Sequence, residues 1–460
     1  MFLTEKQLVS ISPANGSIIG NIPVSSHDEI RKKVLLAHKA ANEWKSFGAG
    51  RRSEILRPLM ESFRQNQEEI AQMTSRETGK PISESRADLM GDFAYLDDFL
   101  NNGKKYIEDE VVFRDESAVH RIIYEPRGVV ACIVPWNYPF GNFIWSVIPN
   151  LVAGNTVILK HSEECPLTAR FLEHILLALK GLPEGVFSAI YGDAEEGAFL
   201  VEQNLDMIWF TGSSAVGRDL AAIAGRKQIR AILEMGGSNP AIILDDAPLD
   251  CIEKVYRSRF ANCGQVCDAT KRLLVHMSLF DKVVESLVQR VDDIIIGDPM
   301  CEKTDLGPLV SMRQLKILES QVNDAIMKGA TLLAGGKRPE GFSGSYFAPT
   351  ILTNINKNMR IWHEEVFGPV LPVVSFRDDD EAVQLANDTP YGLGAAIYSQ
   401  NIARARHIAG RIDAGCIDIN NGCHWQPCTP FGGFRASGMG LEHGRHGFQE
   451  LCRVKVVAEG

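Results

Sequence analysis

Among the ten cysteines of this 460-residue chain, Cys267 has the neighbours a reactive thiol would need. It closes Asn262-Cys263-Gly264-Gln265-Val266-Cys267, where small, flexible residues could present a side chain at a loop-to-helix junction. A helix N-terminus lowers a thiol pKa and favours the nucleophilic thiolate. The other reading of a free cysteine is a small core residue. Cys263 is read the same way, as a buried bystander or as half of a regulatory disulfide with Cys267. Glu234 follows the strand-like Ala231–Leu233 and precedes Met235-Gly236-Gly237. That puts a carboxylate at a strand end beside backbone a ligand can approach, which is where α/β proteins bind ligands. A helix cap or a surface carboxylate is the alternative. Asn137, in Pro135-Trp136-Asn137-Tyr138-Pro139, follows another apolar run. Its amide could face a developing oxyanion, or it could complete a turn between two prolines.

A second set of residues has the chemistry of a nucleotide site. Phe210-Thr211-Gly212-Ser213-Ser214-Ala215-Val216-Gly217 joins a strand pattern to a helix pattern, and glycines at such a junction let backbone N–H groups reach a phosphate. The spacing is not G-x-G-x-x-G, so a purely structural turn is the competing reading. Lys160 and Glu163 follow Thr156–Leu159 and could grip ribose hydroxyls; the alternative is a solvated charge pair. The cysteines lack paired C-x-x-C motifs and zinc spacing, so no metal site is expected.

These groups need a scaffold, and the sequence supplies two alternating series. Val129–Val134, Thr156–Leu159, Val186–Ile190 and Met207–Phe210 alternate with helical stretches such as Leu167–Leu179 and Glu195–Gln203, the rhythm of a parallel sheet. After Pro240 the rhythm repeats at Ala241–Leu244, Leu273–His276, Val370–Ser375, Ala395–Tyr398 and Cys416–Ile419. Ser26 and Glu29 read as a capping box opening an amphipathic helix to Trp44. Ala118–Tyr124 and Cys452–Val457 fit neither series, and read as edge strands or as an arm pairing between subunits. A net charge of −10 with interleaved signs leaves no basic stripe for nucleic acid. No run approaches the roughly 20 apolar residues of a membrane span, and Met1–Ser10 does not read as a secretory signal. A cytoplasmic protein is expected.

Taken in order, these motifs resemble the aldehyde dehydrogenase superfamily over nearly the whole chain. The resemblance is carried by Pro135-Trp-Asn-Tyr-Pro139, Lys160 with Glu163, Gly212-Ser213 with Gly217, and Glu234-Met-Gly-Gly. Gly264-Gln-Val-Cys267, Glu364-Glu365-Val-Phe367-Gly-Pro, and Pro430-Phe431-Gly-Gly with Ser437-Gly438 complete it. Glu234-Met-Gly-Gly-Ser-Asn-Pro and the short N-terminus look closest to compact bacterial succinate-semialdehyde dehydrogenases. The resemblance implies an α/β fold in three parts. These are a Rossmann-type NAD-binding domain (1–113 and 126–235), an α/β catalytic domain (236–445) and a β oligomerisation arm (114–125 and 446–460) of a homodimer or homotetramer.

It further implies NAD held by Trp136, Lys160, Glu163, Gly212, Ser213, Gly217, Glu365 and Phe367. The activity it implies is oxidation of an aldehyde to an acid, with Cys267 as nucleophile, Asn137 as oxyanion donor and Glu234 as deacylating base. Glu442 matches a carboxylate that supports proton movement in relatives, or is structural. Tyr138, Trp145, Asp268 and Phe431 are expected around the aldehyde. Two of them depart from the close relatives: Trp145 stands where an Arg would suit a carboxylate-bearing substrate, and Asp268 where a small neutral residue is usual. An ionised Asp268 facing the tunnel would favour neutral or amino-aldehydes over succinate semialdehyde. The alternative pairs it with Lys271 or Arg272. An acyl transfer to coenzyme A and a non-catalytic role are rivals, disfavoured by the presence of Glu234 and of all three catalytic groups respectively.

Overall fold

Val129–Val134, Thr156–His161, Phe187–Ile190, Met207–Gly212 and Arg230–Met235 pair in parallel, each joined to the next by a helix. In chain order they lie 3-2-1-4-5 across the sheet, one half of a doubly wound nucleotide fold. They are apolar throughout because helices cover both faces; Val129, Val130, Ala131 and Cys132 are fully buried. Gly438–Met439 adds a short antiparallel strand beside Arg230–Met235, so a late segment of the chain returns to the first sheet next to Glu234. The computed structural model describes residues 6–420 and 422–460. The beginning of Met1–Ser10 therefore lies outside the described residues.

The second series forms a seven-stranded sheet, in which Asn239–Ile243, Thr270–His276, Thr350–Thr353, Val370–Phe376, Gly394–Tyr398 and Cys416–Ile419 run parallel. Thr331–Ala334 closes one edge antiparallel. Helix Cys251–Phe260 and the turn holding Cys267 connect the first two of these strands.

Val119–Pro126 and Cys452–Glu459 pair with each other in a separate three-stranded antiparallel sheet, from Val119↔Glu459 to Pro126↔Cys452. Glu110–Arg114 is its third strand. The sheet leaves Val454, Val456 and Phe113 exposed on one face, Val456 at 65%, and Cys452–Glu459 lies at an edge of the sheet among the described residues.

Local chemistry sets the helix ends. Ser26 Oγ accepts the Glu29 N–H, but Glu29 turns its carboxylate to Lys33 Nζ at 2.5 Å, so the box expected there closes on one side only. A reciprocal box forms instead at Asp193 and Glu196. Among the described residues no helix is long and apolar enough to cross a membrane.

Candidate active site

A cavity of about 1180 Å³ runs from Lys160 and Ser213 past Cys267 and Glu234 to Trp425. It opens where the strand order of the first sheet reverses, between Val129–Val134 and Met207–Gly212, the usual ligand position in such sheets. The loop after the first strand carries Trp136, Asn137 and Tyr138; the loop after the second carries Ser213.

The segment before Cys267 bends sharply. Asn262 and Cys263 adopt left-handed φ of 47° and 56°, and Gly264 follows at 72°. A Cβ on Gly264 would stand 2.3 Å from the Gly368 carbonyl, so only glycine fits this crossing. Side chains then pin the bend: Asn262 Nδ2 donates to the Asn137 carbonyl at 3.0 Å, Gln265 Nε2 to the Asn262 carbonyl at 3.0 Å, and the Val310 N–H to Gln265 Oε1 at 2.9 Å. Asn137 Nδ2 reaches the Gln265 carbonyl at 3.2 Å, which leaves its second amide hydrogen free. Among the described residues the Cys267 N–H has no acceptor, so two donors remain near the thiol.

Two expectations about the thiol are corrected here. No helix follows Cys267; a turn leads straight into Thr270–His276, so no helix N-terminus lowers its pKa. Burial pushes the thiol well above its ordinary value, with Glu234 and Asp268 adding to the effect and Lys271 opposing it. Cys263 is buried and both thiols are free.

Glu234 lies within Arg230–Met235 and is 3% exposed. Its Oε1 has no hydrogen-bond partner. Burial, then Glu442 and Glu365, push its pKa well up. A carboxylate so placed is a strong base once it has released its proton. Glu442 is also buried, with Oε1 unpartnered, and burial pushes it up to about 8.

At the other end of the cavity Lys160 Nζ stands 3.5 Å from Glu163 Oε2. Ser213 caps helix Ser214–Lys227 by accepting the Val216 N–H. Gly212 and Gly217 sit in close packing, where a Cβ would lie 2.6 Å from Phe210 Cζ and 2.1 Å from Met235 Sδ, so a larger residue would have to displace those side chains. The helix N-terminus, the Lys160 and Glu163 side chains and a cleft of this length fit a dinucleotide. Phe367 packs edge-on against Trp136 at 5.6 Å. Glu365 is held by Lys271 Nζ at 2.6 Å and by the Gly237 N–H at 3.2 Å. Near this end Asp193, Glu195 and Glu196 cluster within metal-binding reach, but Lys6 Nζ stands 3.7, 3.4 and 3.6 Å from them respectively.

The aldehyde end is aromatic. Trp145 stacks on Trp425 at 5.5 Å and approaches Tyr138 at 6.4 Å, while Trp425 packs on Phe431 at 4.6 Å. Lys80 Nζ sits 3.6 Å from the Tyr138 ring centre and is paired with Asp88. Asp92 is 4% exposed, lines the cavity and makes no hydrogen bond; burial, then Asp88, push its pKa well up. Asp268 lines the cavity, and it does not pair with Lys271 or Arg272. Lys271 is committed to Glu365, and Arg272 to the carbonyls of Ser238, Leu385 and Ala386. Asp268 instead accepts from Trp425 Nε1 at 2.6 Å and lies 3.3 Å from His424 Nε2.

Trp425, His424, Asp92, Lys80 and the tether from Lys271 to Glu365 were not legible in the sequence as parts of the site. Trp425, His424, Lys80 and Lys271 act through partners elsewhere in the chain, and Asp92 is a polar residue on the buried face of helix Ile82–Tyr106.

Residues 3–457 match the aldehyde dehydrogenase family. The chain is 37% identical to a succinate-semialdehyde dehydrogenase [NADP(+)] of Deinococcus radiodurans, covering 98% of this chain and 95% of that protein. It is 36% identical to the peroxisomal aminoaldehyde dehydrogenase 1 of Pisum sativum, over 99% and 93% respectively. Among solved structures, betaine aldehyde dehydrogenase from Staphylococcus aureus in complex with NAD+ superposes with a TM-score of 0.94 at 32% identity, covering 98% of this chain and 91% of that one.

Proposed function

We propose, for a chain that belongs to the aldehyde dehydrogenase family and so is an NAD(P)-using oxidoreductase acting on aldehydes, that Cys267, Asn137 and Glu234 carry the reaction. The observation that supports this most is the single cavity joining all three to the nucleotide cleft. The Cys267 thiolate adds to the aldehyde carbon, and the free Asn137 amide hydrogen and the Cys267 N–H stabilise the oxyanion. Bound NAD(P) supplies the hydride acceptor. Loss of hydride from the thiohemiacetal leaves a thioester on Cys267. Glu234 then takes a proton from the water that attacks it, and the acid departs.

Two finer readings concern selectivity. NAD is preferred over NADP, because the Glu163 carboxylate beside Lys160 accepts ribose hydroxyls and repels a 2'-phosphate. A neutral or amino-aldehyde is preferred over an anionic one. With Asp268 countered by His424 and Asp92 pushed toward its neutral form by burial, that reading rests on the aromatic faces, which suit a cation better than an anion. Lys80 is spent on Asp88 and Tyr138, leaving no unpaired base at this end of the cavity among the described residues. The NADP-dependent succinate-semialdehyde relative favours the opposite on both counts. One matrix of rates decides: NADH and NADPH formation with propanal, 4-aminobutanal and succinate semialdehyde. The expected result is a higher kcat/KM with NAD, a gap narrowed by Glu163→Ser, and the lowest kcat/KM with succinate semialdehyde. Equal use of both cofactors defeats the first reading, and a tenfold preference for the anionic aldehyde defeats the second.

The three-stranded sheet is proposed to join subunits of a cytoplasmic homodimer or homotetramer through its exposed valines. Light scattering at micromolar concentration should show an oligomer, and Val454→Lys with Val456→Lys should dissociate it. A wild-type monomer would rule the arm out.

A further inference from the structure

The residue after the nucleophile is an aspartate, and a carboxylate there opposes the formation of a thiolate next door. The structure shows how it is countered. His424 sits between two carboxylates, with Nε2 3.3 Å from Asp268 Oδ2 and Nδ1 3.0 Å from Asp418 Oδ2. Its own N–H donates to Asp418 Oδ1 at 3.0 Å, and its ring lies parallel to Phe431 at 5.8 Å. The Asp418 side is a hydrogen bond; on the Asp268 side the approach is ionic and off the hydrogen-bond axis, for Nε2 has no hydrogen-bond partner. Trp425 Nε1 holds the same Asp268 oxygen at 2.6 Å, and Asn239 Nδ2 holds its carbonyl at 2.9 Å. The carboxylate is therefore fixed toward His424 by neighbours on both sides.

We propose that His424 is a positioning residue for the nucleophile's neighbour: held as an imidazolium between Asp268 and Asp418, it cancels the charge Asp268 sets beside Cys267 and so lowers the cost of forming the thiolate. Burial acts against charge on both partners, yet the contacts win, with His424 pushed up to about 10 and Asp268 held below its ordinary value. The other charged groups facing Cys267 are Glu234 and Glu365, which oppose the thiolate, and Lys271, which favours it. Those facing His424 are Asp268 and Asp418. This inference rests on Cys267 being the nucleophile, but its test does not require turnover.

The test is the pH dependence of iodoacetamide alkylation of Cys267, followed by mass spectrometry of its own peptide so that exposed Cys301, Cys423 and Cys428 do not contribute. His424→Gln keeps a polar side chain for Asp418 and should raise the half-maximal pH by about one unit, roughly tenfold slower labelling at neutral pH. Asp268→Asn should lower it, and adding His424→Gln to Asp268→Asn should bring no further rise. A His424→Gln profile at the wild-type pH, or a full shift persisting in the Asp268→Asn background, overturns the proposal. Should His424→Gln fail to fold, Asp268→Asn alone decides, since an unchanged or higher half-maximal pH contradicts a charge pair beside the thiol. Loss of wild-type activity that does not track Cys267 labelling would count against the nucleophile assignment, an outcome separate from the shifts between variants.

Discussion

Cys267→Ala should lower kcat by at least about three orders of magnitude, because the substitution removes the only atom that forms the covalent bond. Binding of NAD(H), read from nucleotide fluorescence, should stay within about twofold of wild type, since Lys160, Glu163 and Ser213 lie at the far end of the cavity. Among the described residues no other cysteine lines the cavity. Cys263 is buried at 1% exposure, in the apolar core with Leu273, Val275 and Val373, and burial pushes its thiol above the ordinary value. Cys416 is buried in the strand Cys416–Ile419. Turnover above a few per cent in Cys267→Ala would mean another nucleophile and a different reading of the cavity. Because burial also raises the pKa of Cys267 itself, the acylation step in wild type should quicken as pH rises toward the alkaline range, where more of the thiol is ionised.

The nucleotide-binding sheet was legible because its strands are buried on both faces and so read as unbroken apolar runs between helical periods. Glu234 and Asn137 stand out for a different reason, each following an apolar run with glycines or prolines close by, and Cys267 because small, flexible residues precede it. The environment of Cys267 was misread where the sequence shifts from Gly264-Gln265-Val266 to Asp268-Ala269-Thr270. Asp, Ala and Thr suit a helix start as well as a turn, and what decides for a strand is its pairing with Asn239–Ile243 and Val370–Phe376. That strand also carries two buried cations, Lys271 and Arg272, which break the apolar pattern. Apart from the Cys267 carbonyl, which Lys271 reaches at 3.2 Å, their partners are a carboxylate at residue 365 and backbone carbonyls at residues 237, 238, 385 and 386, and no local rule points to those. Asp268 shows the same limit. Nearby Lys271 and Arg272 were the reasonable partners by distance in the chain, yet His424 and Trp425 arrive from beyond residue 420 and take both contacts.

Glu234→Gln should leave hydride transfer nearly intact and slow the release of acid by about 10²- to 10⁴-fold. Glu234 has no part in making the thiohemiacetal beyond the charge it places near Cys267. Removing that charge lowers the thiol pKa, so acylation should be as fast as in wild type or faster. A stopped-flow trace should then show a burst of about one NADH per active site, followed by a slow steady state. Hydroxylamine, a nucleophile that needs no general base, should restore turnover by intercepting the thioester. A second buried carboxyl acting on Glu234 is Glu442, whose pKa of about 8 would let it act as a base only as pH climbs. If Glu442 takes over, the steady state of Glu234→Gln will recover near pH 8 and vanish again in Glu234→Gln with Glu442→Gln. Burst and steady-state rates that fall together would place Glu234 in acylation instead, and leave the base for thioester hydrolysis to be sought at Glu442.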